Sequence, residues 1–270
     1  MSAKVAIVTG SNKGIGLAIV RRMCKEFSGD VILTARDESR GRTAVTLLEG
    51  EGLQPKFHQL DIDSRDSIAA FKEFIEKSYG GLDVLINNAG MAYKKASTAP
   101  FIEQATNSVR TNFTGTLHFT RAVLPLMKPH SRIVMVASRA GKLNIVKPHL
   151  QNQFSSPSLT EPQLVSLMDQ FVQDVAAGNH EAKGWPTTAY GVSKVGMIAF
   201  TKIIAREMTA SGKIDILVNA CCPGWCRTDM AGDNATLSAD QGAETPVHLA
   251  LLPAGSPTGE FWGEKKTIQW

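Results

Sequence analysis

A chain of 270 residues, 43% hydrophobic and 20% charged, can bury the core of one large α/β domain spanning residues 1–270. Its net charge of +4 is scattered, densest only at Arg21–Arg22, Lys94–Lys95 and Lys265–Lys266, which excludes the concentrated basic stripe of a nucleic-acid partner. The four cysteines (Cys24, Cys221, Cys222 and Cys226) form neither a C-x-x-C metal pattern nor a disulfide framework, so reduced thiols and no metal site are expected.

The opening MSAKVAIVTG runs a polar start straight into a first strand, Val5–Val8, with no apolar leader. No run approaches the ~20 apolar residues of a membrane span, so a cytoplasmic protein is expected. A helix follows at Ala18–Phe27, a strand at Val31–Thr34 and a polar helix from about Ser39 to Gly50. Strands KFHQLDI (56–62) and LDVLINNAG (82–90) flank a helix near Ser67–Tyr79, where Ile68, Phe71, Phe74 and Ile75 recur at helical spacing. RIVMVAS (132–138) and IDILVNACC (214–222) complete the strands. Continuous apolar strands alternating with amphipathic helices predict a doubly wound, Rossmann-like parallel sheet with helices on both faces.

One block breaks the rhythm. Residues 139–189 are too many for a strand-to-helix loop, so a helical insertion is expected at about 142–186. Within it Thr160 and Gln163 stand at capping-box spacing. Leu164, Leu167, Met168, Phe171, Val172 and Val175 then form an apolar stripe, and Gly178 is a natural stop.

The first strand ends in TGSNKGIG, which offers Gly10, Asn12, Lys13, Gly14, Ile15 and Gly16 as a phosphate-binding turn opening a helix. Glycines there permit a tight turn and close approach of backbone amides to a pyrophosphate. At the second strand's tip, LTARDESR places Arg36 and Arg40 beside Lys13, and guanidinium groups suit the 2′-phosphate of NADPH. Asp37 leaves an alternative open, because an acid at that tip would bond the free ribose of NADH. Asp61 and Ile62 are candidates for the adenine.

TTAYGVSK (187–194) sets Lys194 one helical turn after Tyr190. A phenol with a pKa near ~10 is a poor proton donor at neutral pH unless its phenolate is stabilised, which a neighbouring ammonium can do.

These motifs, in order, resemble the short-chain dehydrogenase/reductases throughout the chain: GSNKGIG (10–16), NNAG (87–90), Asn112, Ser138, YGVSK (190–194) and Pro223–Gly224. GWPTTAYGVSK, NACCPGWCRTDMAG and GAETPVHLALLP resemble the monomeric cytosolic NADPH-dependent carbonyl reductases in particular. The resemblance implies a catalytic set of Asn112, Ser138, Tyr190 and Lys194. Hydride would pass from NADPH to a carbonyl carbon while Tyr190 protonates the oxygen, and Lys194 would lower the tyrosine's pKa and bond the nicotinamide ribose. Ser138 would hold the substrate oxygen, and Asn112 would position a water joining Lys194 to solvent.

Asn88 and Gly90 would sit beside the cofactor, Cys226, Arg227 and Thr228 would meet its nicotinamide end, and Trp225 and Met230 would line the substrate pocket. A charged Arg139 would alter that pocket's wall. Glutathione conjugates are implied as ligands at Tyr93, Lys94, Lys95 and Gln104. Assembly in this family runs through helices beginning near Asn112 and near Tyr190, with Leu117, Met197, Ile198 and Ile204 as a candidate face. The insertion's stripe is expected to cover it, leaving a monomer. Substrates would be xenobiotic or endogenous ketones, aldehydes and quinones. Two alternatives stay open: a dedicated 20β-hydroxysteroid or prostaglandin dehydrogenase, and a non-catalytic NADP-sensing protein.

Overall fold

The computed structural model describes residues 4–94 and 96–270. Among the described residues eight strands form a single sheet: β1 (Val5–Val8), β2 (Asp30–Ala35), β3 (Lys56–Gln59), β4 (Leu82–Asn87), β5 (Met127–Val136), β6 (Leu217–Cys222), β7 (Phe261–Gly263) and β8 (Lys266–Thr267). They lie in the order β3-β2-β1-β4-β5-β6-β7-β8. All pairs are parallel except β7 with β8. The chain winds outward through β2 and β3, then returns past β1 to β4. The strand order therefore reverses between β1 and β4, which opens a crevice at their carboxyl ends.

Alternation along each strand feeds two cores, one per face. Val5 and Ile7 join one core with helices α3 (Arg65–Tyr79), α4 (Phe101–Ser108), α5 (Thr116–Val123), α7 (Glu161–Ala176) and α8 (Ala189–Ala210). Ala6 and Val8 point the other way, to α1 (Gly14–Glu26), α2 (Glu38–Gly50) and α9 (Ala239–Ala250). Every residue of β1 and of β6 is buried, as a strand covered on both faces requires.

The helix expected to begin near Asn112 starts earlier, at Phe101. It runs through α4, a π-helical turn at Val109–Gly115 and α5 without a break. The π turn adds a residue to one helical turn and so reaims Asn112. Strand β3 stops at Gln59, leaving Asp61 and Ile62 in the following loop, and α9 with the β7–β8 hairpin extends the fold beyond the expected strands.

The insertion folds as α6 (Pro148–Phe154) and α7. Thr160 and Gln163 form the capping box, and Gly178 takes a left-handed φ of 70° just past the helix end. Leu164, Met168, Phe171 and Val175 are buried, with α7 packed against α4 and α8. Contact with α8 is close because Gly196 has no side chain: a Cβ there would stand 2.8 Å from Met168 Sδ. Arg121 on α5 bridges Glu161 of α7 and Glu207 of α8. Within α7, the buried Asp174 carboxylate accepts the Trp185 indole N–H at 2.8 Å and the Gln170 amide at 2.9 Å. Leu117, Met197, Ile198 and Ile204, the candidate assembly face, are all buried within this one chain. Among the described residues no helix is long and apolar enough to cross a membrane.

Candidate active site

The carboxyl ends of β1, β4, β5 and β6 carry the motif residues to one crevice. After β1 the glycine turn folds tightly, with Gly10 at φ 59° and Gly14 at φ 57°. A Cβ on Gly10 would fall 2.8 Å from Ala89 Cα, and one on Gly16 would fall 2.5 Å from Asn88 Nδ2. These glycines let β1, α1 and the segment after β4 press together. Asn88 fastens that contact, its amide donating to the carbonyls of Thr9 and Gly10 at 3.0 Å each. Thr9, which the motif reading passed over, accepts the backbone N–H groups of Asn88 and Ala89 through Oγ1. Its signal was the hydroxyl directly before the first glycine.

Helix α1 begins after Lys13 without a side-chain cap. By contrast, α2, α3, α7, α8 and α9 are capped by Asp37, Ser64, Thr160, Thr188 and Ser238. Uncapped N–H groups at a helix start, beside a glycine turn, suit a pyrophosphate. The residues here therefore fit a dinucleotide. Asn12 and Ile15 lie in that turn, partly buried.

The choice left open by Asp37 has a structural answer. Its carboxylate caps α2, accepting the Arg40 N–H at 2.9 Å, and its other oxygen lies 4.0 Å from the Arg40 guanidinium. The carboxylate is thus engaged in its own helix. Arg36 is exposed and has no ion-pair partner among the described residues. Lys13 pairs with Asp229 at 2.7 Å across the crevice, and both side chains are exposed. Asp61 accepts the N–H of Asp63 at 3.0 Å, and Ile62 is buried beside it.

Four residues converge at the end of β5. Ser138, two residues past the strand, and Tyr190, in the first turn of α8, are both partly open to the crevice. Lys194 and Asn112 lie behind them, buried. The Lys194 ammonium donates to Val136 O at 2.9 Å and lies 3.2 Å from Met197 Sδ. Asn112 accepts the Met91 N–H at 2.7 Å through Oδ1. Its Nδ2 donates to Met91 O and to Ser193 Oγ, each at 2.9 Å. Ser193 in turn donates to the Tyr190 carbonyl at 2.7 Å, so Asn112 ties the segment after β4 to the start of α8. Gly90 fits between: a Cβ there would lie 3.1 Å from Asn112 Oδ1 and 3.6 Å from Lys194 Nζ.

Burial pushes the Tyr190 phenol up to about 12, and its hydrogen bond with Ser138 pulls the other way. Burial also draws the Lys194 ammonium down to about 8. Burial is the largest influence on the phenol here, and Lys194 is not among the groups that shift it. Its Nζ stands 5.6 Å from the Tyr190 ring centre and spends its hydrogen bonds on Val136 and Met197, so desolvation dominates the phenol. The arrangement sets a phenol held protonated in front of a lysine drawn down to about 8.

The loop after β6 carries Cys226, Arg227 and Thr228. The Cys226 thiol is buried under α9, where a Cβ on Gly242 would stand 2.5 Å from its sulfur. Burial raises that thiol to about 11. Arg227 turns its guanidinium to the carbonyls of Ala235 and Thr236, stapling its own loop. Thr228 stays at the glycine turn, its methyl 3.3 Å from where a Gly14 Cβ would be. Trp225 and Met230 are exposed at 54% and 43%, free to meet a substrate. Arg139 leans on the hairpin instead of the pocket wall, donating to Glu264 at 2.8 Å.

Of the glutathione candidates, Tyr93 hydrogen-bonds Glu103 and Asn107, and Gln104 donates to Ala99 O. Lys94 is exposed, and Lys95 lies outside the described residues. Among the described residues no three His, Cys, Asp or Glu side chains cluster as metal ligands would.

Residues 4–148 and 175–237 match the family described as short chain dehydrogenase. The chain is 54% identical to carbonyl reductase [NADPH] 1 of Bos taurus and to that of Homo sapiens, each alignment covering 98% of both chains. Among solved structures it resembles salutaridine reductase from Papaver somniferum, with a TM-score of 0.87 and 29% identity over 96% of this chain and 99% of that one. Menthone neomenthol reductase from Mentha piperita gives a TM-score of 0.82 and 31% identity over 97% and 98%. The family-wide match, the near-complete coverage and the shared fold show that the chain belongs to the short chain dehydrogenase family.

Proposed function

We propose that this protein is an NADPH-dependent carbonyl reductase acting on ketones, aldehydes and quinones. One observation carries the reading. Two hydroxyls, Ser138 and Tyr190, stand at the crevice with a buried ammonium, Lys194, behind them. A sensing protein gains nothing from burying a cation there, whereas a proton-transfer site does. The near full-length likeness to carbonyl reductases supports the same reading.

NADPH, when bound, supplies the hydride that reduces the carbonyl carbon. Ser138 hydrogen-bonds the carbonyl oxygen as negative charge builds on it. Tyr190 gives its phenol proton to that oxygen, completing the hydroxyl group. Lys194, titrating near 8, returns a proton toward the phenolate, and Asn112 fixes the geometry of that return path. The uncapped start of α1 would hold the pyrophosphate, and Arg36 and Lys13 the 2′-phosphate.

Trp225 and Met230 would wall the substrate, which suits bulky apolar carbonyls, steroids and prostaglandins included. A dedicated steroid or prostaglandin dehydrogenase would use the same four residues and differ only in pocket shape. Glutathione conjugates are a further proposed ligand class, through Lys94. The protein is proposed to work in the cytoplasm as a monomer, because α7 already covers the apolar face that would otherwise seek a partner.

Tyr190→Phe removes the proton but keeps the ring. It is expected to lower kcat by ~10²–10⁴-fold while NADPH affinity stays nearly constant; steady-state kinetics beside nucleotide titration check this, and a variant retaining most of its kcat would refute the role. Replacing Arg36 and Lys13 by alanine should raise KM for NADPH about tenfold or more and leave that for NADH little changed, since each charge-assisted bond contributes on the order of 1.5–3 kcal/mol.

Lys194 also predicts a pH dependence of stability. Its folded pKa of about 8 lies below the ordinary 10.5, so the folded state holds fewer protons than the unfolded state between those values. The burial penalty is complete below about 8 and is relieved as pH rises toward 10.5. Urea unfolding without nucleotide should therefore show wild type gaining stability relative to Lys194→Met above pH 8. A constant difference would contradict it. Finally, sedimentation at micromolar concentration should return one species near 29 kDa, and a dimer or tetramer would make the α7 stripe an intersubunit contact.

A further inference from the structure

The Ser138 hydroxyl is carried by a single short turn, Arg139–Gly141, and two separate parts of the protein hold that turn. On the inside it rests on α8. Gly141 packs so closely that a Cβ would stand 2.6 Å from the backbone carbon of Lys194. On the outside it meets the segment after β7. There the chain reverses through Glu264 and Lys265, at φ 54° and 60°, and β8 returns beside β7. Ile268 then donates its N–H to Phe261 O at 2.7 Å and packs on the core. Two residues later the Trp270 indole N–H donates to Gly141 O at 2.8 Å. The ring is partly buried, with the Lys202 ammonium 5.8 Å from its centre. At the other end of the turn, Arg139 donates to Glu264 at 2.8 Å.

These contacts leave the turn little freedom. Ser138 Oγ itself accepts the Ala140 N–H at 3.1 Å, and the Gly141 N–H returns to Ser138 O at 2.9 Å. The hydroxyl is therefore tied into the same short turn whose last carbonyl, that of Gly141, Trp270 holds. The outer ion pair is half exposed at Arg139 and mostly exposed at Glu264, so it contributes little. The partly buried indole bond is the stronger restraint.

We propose that Trp270 is a positioning residue for carbonyl reduction, acting through Gly141 to hold Ser138 against the substrate oxygen and Tyr190. This rests on the role given to Ser138 above. A displacement of about 1 Å at a reacting group can cost about 10²-fold in rate, and a loosened turn should cost part of that.

The test is a double-mutant cycle on the full chain, with an aromatic ketone as substrate. Trp270→Phe keeps the ring and loses the donor. It is expected to lower kcat about tenfold, with NADPH dissociation constant and thermal midpoint unchanged. In a Ser138→Ala background the same substitution should have no further effect on kcat. A chain ending at Ile268, which keeps the Ile268 anchor, should behave like Trp270→Phe in both backgrounds. Unchanged kcat in both tail variants would overturn the proposal, as would an equal loss with and without the Ser138 hydroxyl. A Ser138→Ala enzyme with wild-type kcat would instead overturn the role of Ser138 itself.

Discussion

An ammonium buried in a protein core is costly unless its surroundings replace water, and the site here is organised around one such group. Lys194 lies on α8, a helix whose residues are mostly buried. Its bond to Val136 O anchors it to the end of β5, and this fixes where α8 meets the sheet. Tyr190, one turn earlier, is thereby placed beside Ser138, two residues beyond that carbonyl. Asn112 completes the enclosure by clamping Met91 and Ser193, and Gly90 leaves room for both side chains. If the ammonium moved, the helix, the turn and the phenol would all move with it.

Burial sets the chemistry as well as the geometry. It raises Tyr190 and lowers Lys194, so two groups with similar ordinary values are driven apart and the lysine becomes the stronger acid. A protonated phenol faces the crevice, and a lysine drawn down to about 8 stands behind it. For reduction, this pairs a donor at the substrate with a group able to refill it. Burial also holds the Cys221 thiol well above its ordinary range.

Much of this was legible in the sequence because it depends on local pattern. The glycine turn, the alternation of apolar strands with amphipathic helices, and the Tyr190–Lys194 spacing each reflect a periodicity or a steric need that short stretches display. The capping box at Thr160 and Gln163 is of the same kind. What could not be read depends on long-range contact. Asp37 presents the same carboxylate whether it caps a helix or bonds a ribose, and only the start of α2 decides. Cys226 and Arg227 sit in the expected loop, yet where their side chains go is set by packing against Gly242 and by the carbonyls of Ala235 and Thr236. Nothing in the TIQW sequence signals that Trp270 reaches Gly141, far away in the chain. The surroundings of Lys194 were hidden for a related reason. Spacing gives proximity along a helix, while the partners Val136 and Met197 come from the fold.

The central claim is that this arrangement turns substrate over instead of merely holding nucleotide. Its most direct test counts products: NADPH deuterated at the transferable position, a quinone or aromatic ketone, and mass analysis of the alcohol formed. The account predicts one deuterium on the former carbonyl carbon for each NADPH consumed. Tight NADPH binding with no alcohol formed from any carbonyl would contradict it and leave a nucleotide-sensing protein in its place.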